Sequence, residues 1–380
     1  HRNKERSKQP KELADKIADV DRHYALLPTP DLFKEKLLLQ TEFNKLMTWK
    51  AEKNIFKSRQ VYYEHGDKAG KCLAYYVKKR AESQTIAAVS DKDGHKVYEN
   101  KLINNCFKNF YKNLYSSEQA PEGEQLMDNF FAQLTLPNLS EEHKTALNSS
   151  ITKTEVLKAI NKLQNGKSPG PDGFASEFYK QFQNILVDPL LDMFNHSFTT
   201  GEFPQTLKEA NISLILKKGK CSDSCGSYRP IALLNVDRKL LSKILASRLE
   251  NLLPILVKED QTGFVRGRNS ATNVRRLLSA IIAFKQESIS GLVLSLDAEK
   301  AFDRIEWSFL LYTLGKFGLG ENFIKWVKII YTRPQAAVLT NGLRSEYFNT
   351  HRGVMQGCPL SPLLFALAIE PLAEAIRVHP

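Results

Sequence analysis

Asp297 is the residue whose type and position most directly suggest chemistry. It closes Leu292-Val293-Leu294-Ser295-Leu296, an apolar run of the kind found in a central strand covered on both faces. A carboxylate at the tip of a buried strand is costly to desolvate unless it binds something. The ordinary alternative is an Asp that ends a strand by starting a turn. Two other patterns promise less. Cys221 and Cys225 have half the spacing of a zinc site, but no His or Cys pair follows, which leaves two thiols in a Ser/Gly-rich loop. Gly166-Lys167-Ser168 ends like a phosphate-binding loop, yet the first glycine of that motif would fall on Asn161, so that reading fails.

The elements that must position Asp297 follow from periodicity and punctuation. Asp303 and Glu306 have the spacing of an N-cap and its N3 partner, which predicts a helix starting there. Phe309, Leu310, Leu314 and Phe317 form its apolar face, and Gly318 and Gly320 end it. Asn341-Gly342 between β-prone residues predicts a hairpin with a type I′ turn. A loop from Arg352 follows, and then a helix with Ser361 as N-cap, Pro362 at N1, and Leu363, Leu364, Leu367 and Leu372 on one face.

Upstream, Thr152 and Glu155 form a capping box. The helix they open buries Val156, Leu157, Ile160 and Leu163 and is expected to stop at Asn165-Gly166, before an irregular loop reaching Gly173. Ile212–Leu216 reads as a strand followed by basic Lys217, Lys218 and Lys220. Tyr228 to Ile231 restarts an extended segment, because the residue before a proline avoids helix. A long amphipathic helix is expected over 236–253.

The first 120 residues read as mainly helical and carry about +8 of the chain's formal net charge of +12. Leu32, Phe33, Leu37, Phe43, Leu46 and Met47 recur at helical spacing, and a hairpin is expected around Asp91-Lys92-Asp93-Gly94. A further helix carries Ile103, Phe107, Phe110, Tyr111 and Tyr115, and 117–123 is a polar linker. The basic excess favours a polyanionic partner, nucleic acid before an acidic membrane surface. No apolar stretch approaches the roughly 20 residues of a membrane span, and the N-terminal residues have no apolar core of a signal peptide. Five scattered cysteines argue against a disulfide framework, which suits an intracellular, reducing compartment, cytoplasm or nucleus.

Four segments in this order resemble the reverse transcriptases of non-LTR (LINE-type) retrotransposons. They are Ser168-Pro169-Gly170-Pro171-Asp172-Gly173, Tyr228-Arg229-Pro230-Ile231 leading to Asn235, Leu296-Asp297 through Phe302-Asp303, and Gln356-Gly357-Cys358-Pro359-Leu360-Ser361-Pro362. Gln261-Thr262-Gly263-Phe264 followed by Arg268 belongs to the same pattern. The resemblance spans about 150 to 380. Tyr62 to Asp67 looks like the linker that joins the family's endonuclease to its polymerase.

The resemblance implies an α+β fold, a right-hand polymerase with helices on one side of an antiparallel palm sheet and a mainly helical N-terminal extension. The domains expected are 1–123 as basic extension and linker, 124–290 as N-terminal and fingers region, and 291–380 as partial palm. It implies an RNA-directed DNA polymerase that takes an RNA template, a DNA primer and deoxynucleoside triphosphates, with two magnesium ions (Mg2+) about 3.5–4 Å apart. Asp297 would supply the first metal-binding carboxylate and Ala298 a backbone carbonyl. Phe302 would pack on the sugar of the incoming nucleotide and exclude a 2′-hydroxyl; read alone, it is a core phenylalanine. Lys217 and Arg229 would grip the phosphates, and Gln356 and Gly357 would line the nascent base pair. The family commonly has Arg before this Gln, where Met355 stands here. Asp303 belongs to the motif but suits a structural role.

The family's second metal-binding element, an aromatic-x-Asp-Asp turn, has no counterpart, since the sequence contains no Asp-Asp pair. The chain alone is therefore expected not to polymerise DNA, and the strand at 292–296 to keep an unpaired apolar edge. Two other readings stay open: a non-catalytic retroelement remnant that binds RNA or DNA, and a group II intron maturase.

Overall fold

The computed structural model describes residues 2–65, 85–118 and 122–379. Asp67 and Cys72 lie outside these residues, as do the side chains of 62–65 and part of the 117–123 linker. The chain divides into two compact units, 1–85 and 86–380.

The first unit is a pair of helices, Arg2–Leu26 and Pro30–His65, packed on each other. Tyr24 meets Phe33 with ring centroids 6.1 Å apart, and Lys36 pairs with Asp21 at 2.6 Å. The helical periodicity is realised, but Phe33, Leu37 and Met47 remain exposed.

The second unit is built on a sheet. Strands β1 (Val89–Ser90) and β2 (Lys96–Val97) form the expected small hairpin. The main sheet contains β3 (Glu209–Leu216), β4 (Tyr228–Leu234), β5 (Gln335–Thr340), β6 (Leu343–Arg344) and β7 (Phe348–Asn349), in the order β4-β3-β5-β6 with β7 also pairing β5. The β5–β6 turn is the expected one, with positive φ at both Asn341 (49°) and Gly342 (79°). The sheet is mixed rather than antiparallel throughout, since β3 runs parallel to β5.

Strand register places Ala210, Ile212, Ala232, Leu234, Ala336 and Val338 on one face, and all six are buried in apolar clusters. On the other face Asn211, Ser213, Ile231, Leu233 and Leu339 are only partly covered, although Ala337 beside them is fully buried. Alternation of this kind marks a sheet packed by helices on one side. The larger cluster draws in helices Lys153–Asn161, Gln183–Thr200, Val236–Glu250, Trp307–Lys316, Glu321–Ile330 and Ser361–Val378. The smaller is filled by Ile103, Phe107, Tyr111 and Leu114 of helix Asn100–Leu114, so residues from 86 onward fold onto the same sheet.

Several boundaries differ from the sequence reading. The capping box at Thr152 and Glu155 forms as expected, but its helix stops at Asn161, and a turn carries the chain to Gly166. Helix 236–253 ends at Glu250, and Leu253–Leu256 forms a separate short turn opened by Pro254. Asp303 is not an N-cap: it sits in a 3-10 turn, Ala301–Arg304, and Glu306 caps the helix that starts at Trp307. Buried and bonded elsewhere, Asp303 has no free oxygen for a helix end. Ser361 is the first helical residue, one past the cap at Leu360.

The largest correction concerns Leu292–Leu296. This run takes no regular secondary structure and joins no strand, and Leu292 and Leu296 are 90% and 80% exposed. An apolar run states that a segment can be buried; a strand also requires a neighbour to bond its backbone, and none of the seven strands among the described residues pairs with it.

Candidate active site

The β3–β4 hairpin positions the basic pair. Ile215 lies opposite Arg229 in the antiparallel register, so Lys217, just past the end of β3, comes beside Arg229 near the start of β4. The Lys217 amide donates to the Ser227 carbonyl at 2.9 Å, and its ammonium reaches the Gly226 carbonyl at 3.4 Å. Arg229 is exposed and has no carboxylate partner among the described residues.

A second segment, 297–303, faces this hairpin, and the 352–358 loop closes the third side. Lys217, Arg229, Asp297, Ala298, Phe302, Asp303, Gln356 and Gly357 all line one cavity of about 490 Å³. Residues from three distant stretches of sequence therefore meet at one place.

The loop carrying Gln356 is strapped down from both sides. Its Gln356 carbonyl accepts from the Ala232 amide of β4 at 2.7 Å, and the Val354 amide donates to the Phe302 carbonyl at 2.7 Å. Gly357 has φ 112°, and a Cβ there would lie 2.6 Å from the Ala232 carbonyl oxygen. Only glycine lets the loop approach β4 so closely. Arg352, buried at its base, donates to the Leu114 carbonyl at 2.8 Å and pairs with Glu118 and Glu306.

Phe302 is half-buried and stacks on Phe365 with centroids 4.6 Å apart and planes 12° from parallel, while Phe264 meets it edge-on at 5.6 Å. The ring is thus both core-packed and cavity-lining. Asp303 is buried beneath it and accepts from the Tyr115 hydroxyl at 2.9 Å and the Gln356 amide at 3.3 Å. Burial pushes its carboxyl above the usual range, opposed by the Tyr115 hydrogen bond and by Lys300. Lys300, left-handed at φ 52°, lies 4.3 Å from the Phe110 ring centroid, and burial lowers its ammonium pKa.

The carboxylates do not close a metal site. Asp297 is exposed on the unpaired segment, Asp303 is already engaged, and the described residues contain no group of three or more His, Cys, Asp or Glu able to hold an ion. The zinc reading of Cys221 and Cys225 gains no partner here either. Burial pushes the Cys225 thiol up to about 12.

Sequence reasoning overlooked Tyr115, Lys300 and Arg352. Tyr115 had registered only as an apolar position, and a tyrosine that closes an otherwise apolar helix face is the available signal that its hydroxyl meets a buried partner. In the Gln261–Arg268 segment, the Arg268 guanidinium donates to the carbonyls of Pro254, Val257, Lys258 and Gln261, which makes it a loop clamp.

Residues 215–380 match the family described as reverse transcriptase (RNA-dependent DNA polymerase). The matched span contains every residue lining the cavity except Phe110, Tyr111 and Leu114. The chain is similar to the reverse transcriptases of LINE-type (non-LTR) retrotransposons. It is 32% identical, over 79% of its length, to the transposon TX1 uncharacterized 149 kDa protein of Xenopus laevis, of which it covers 23%. It is 28% identical, over 57%, to the RNA-directed DNA polymerase from mobile element jockey of Drosophila funebris, of which it covers 24%. Against the Pol polyprotein of type-2 retrotransposable element R2DM of Drosophila melanogaster it is 28% identical over 60%, covering 21% of that protein. The chain thus spans about a quarter of the length of these relatives. A divalent metal is the general cofactor of the family. No helix among the described residues is long and apolar enough to cross a membrane.

Proposed function

We propose that this chain is the nucleotide-receiving part of an RNA-directed DNA polymerase. The observation that carries the reading is the single cavity onto which Lys217, Arg229, Asp297, Phe302, Gln356 and Gly357 converge. Arg229 grips triphosphate oxygens in a fork and Lys217 adds a point charge. Phe302, held by Phe365, presents its ring edge to the sugar and selects deoxynucleotides. Gln356 offers its amide to the nascent base pair, and Gly357 keeps the loop against β4. RNA template, DNA primer and deoxynucleoside triphosphates are the substrates, and Mg2+ is the metal.

Asp297 with the Ala298 carbonyl supplies only one arm of the metal site, so the 380-residue chain alone does not extend a primer. The test is primer extension on poly(rA)·oligo(dT) by the element's longer protein that contains this chain, with Asp297→Asn as the comparison. Loss of about 10³-fold or more is expected, the scale of removing a group that stabilises transition-state charge. Undiminished extension by the variant would sink the proposal.

A second reading is a non-catalytic RNA- or DNA-binding remnant, which the formal net charge of +12 supports. The same assay separates the two, because a remnant gives no extension in either form.

A further inference from the structure

Away from the cavity, three phenylalanines form a ladder across helix Ser176–Gln181. Phe174 and Phe178 have ring centroids 4.7 Å apart, and Phe178 and Phe182 5.1 Å. Phe178 packs against the core, whereas Phe174 and Phe182 are 48% and 44% exposed. Leaving two aromatic rings in water forgoes the burial that aromatic side chains ordinarily contribute.

Three lysines lie close together on the ladder's helix and the segments that pack beside it. Lys180, on the ladder's helix, donates to the Asn165 side chain at 2.8 Å, and Lys243, on helix Val236–Glu250, donates to the Lys162 carbonyl at 3.0 Å. None of Lys162, Lys180 and Lys243 forms an ion pair with a carboxylate among the described residues. The one acidic side chain on the ladder's helix, Glu177, is held by the Gly166 amide at 2.6 Å. Burial lowers the Lys243 ammonium pKa, and repulsion from Lys162 and Lys180 lowers it further. The turn between Asn161 and Gly173 is thereby pinned to the ladder's helix at two points, Asn165–Lys180 and Gly166–Glu177.

Exposed flat rings and unpaired like charges are each unfavourable, and one class of ligand relieves both. A duplex hides its base faces; a single strand offers them for stacking and brings phosphates to neutralise lysines. We propose that Phe174 and Phe182 are a stacking platform for unpaired bases of single-stranded nucleic acid, with Lys162, Lys180 and Lys243 taking its phosphates. This rests on the reading of the chain as a protein that works on nucleic acid, and it adds a surface distinct from the nucleotide cavity.

The test is fluorescence anisotropy of the full 380-residue chain with labelled oligo(rU) and oligo(dT) over a salt series. A duplex of matched length is the comparison ligand. Phe174→Leu with Phe182→Leu keeps the surface apolar and the core partner Phe178 intact, so folding, checked by thermal melting, is retained. It should weaken single-strand binding by about tenfold or more, within the range for lost stacking, at an unchanged salt slope. Lys162→Gln, Lys180→Gln and Lys243→Gln together should lower the slope of log K against log salt by about 2. Wild-type affinity in the leucine variant, equal loss on the duplex, or no binding of either oligonucleotide by the wild type would overturn the proposal. Primer extension by the longer protein judges the polymerase reading separately, so the two can fail independently.

Discussion

The Tyr115 hydroxyl donates to Asp303 at 2.9 Å, across 188 residues of sequence, and Asp303 in turn accepts from the Gln356 amide. This links a helix of the smaller cluster to the motif turn and the loop that lines the cavity. Tyr115→Phe removes one donor and leaves a buried carboxylate short of a partner. Denaturant unfolding should show a loss of about 1–3 kcal/mol.

The Asp303 carboxyl is raised by burial, so its linkage to stability has the opposite sign to that of a salt-bridged carboxylate. Below the ordinary Asp pKa it is protonated in both states and costs nothing. As pH rises past that value toward the raised folded one, the folded state binds more protons, and stability falls. Asp303→Asn, whose side chain can still accept from Tyr115, removes this penalty. Thermal melts across pH 4–7 should show the variant gaining on the wild type as pH rises; a gain as pH falls would contradict it.

Arg248 holds Glu155 through two nitrogens at 2.7 and 2.8 Å and also donates to the carbonyls of Leu147, Ser149 and Ser150. The pair is largely shielded, and the capping box depends on the same glutamate. Arg248→Met should cost about 3 kcal/mol in chemical denaturation, since it strands a partly buried carboxylate and three carbonyls.

Gly357→Ala puts a methyl against the Ala232 carbonyl in a backbone conformation hostile to side chains. A loss of about 2 kcal/mol or more is expected in denaturant melts.

The exposed run 292–296 is an association hazard. Leu292→Lys with Leu294→Lys should raise the monomeric fraction in light scattering while leaving the melting temperature unchanged, because neither side chain packs on the core.

What the sequence made legible was local. The capping box at Thr152, the Asn341-Gly342 turn, the β3 and β4 strands and the helices after Trp307 and Leu360 all follow from residues within a turn of each other. The convergence on the cavity came from the resemblance, since no periodicity brings Lys217 next to Gln356. Pairing was illegible. That β3 lies parallel to β5, and that 292–296 finds no strand partner among the described residues, are decided by segments far apart in the chain. Asp303 misled because a short polar residue before a helix has the same appearance whether it caps the helix or anchors a buried network.

The most direct test of the central claim is equilibrium binding of dTTP to the 380-residue chain on poly(rA)·oligo(dT) with Mg2+ present. The account predicts saturable binding weakened about tenfold or more by Arg229→Ala and further by adding Lys217→Ala, as expected when charged phosphate contacts are lost. Absence of binding, or equal affinity in the double variant, would contradict it.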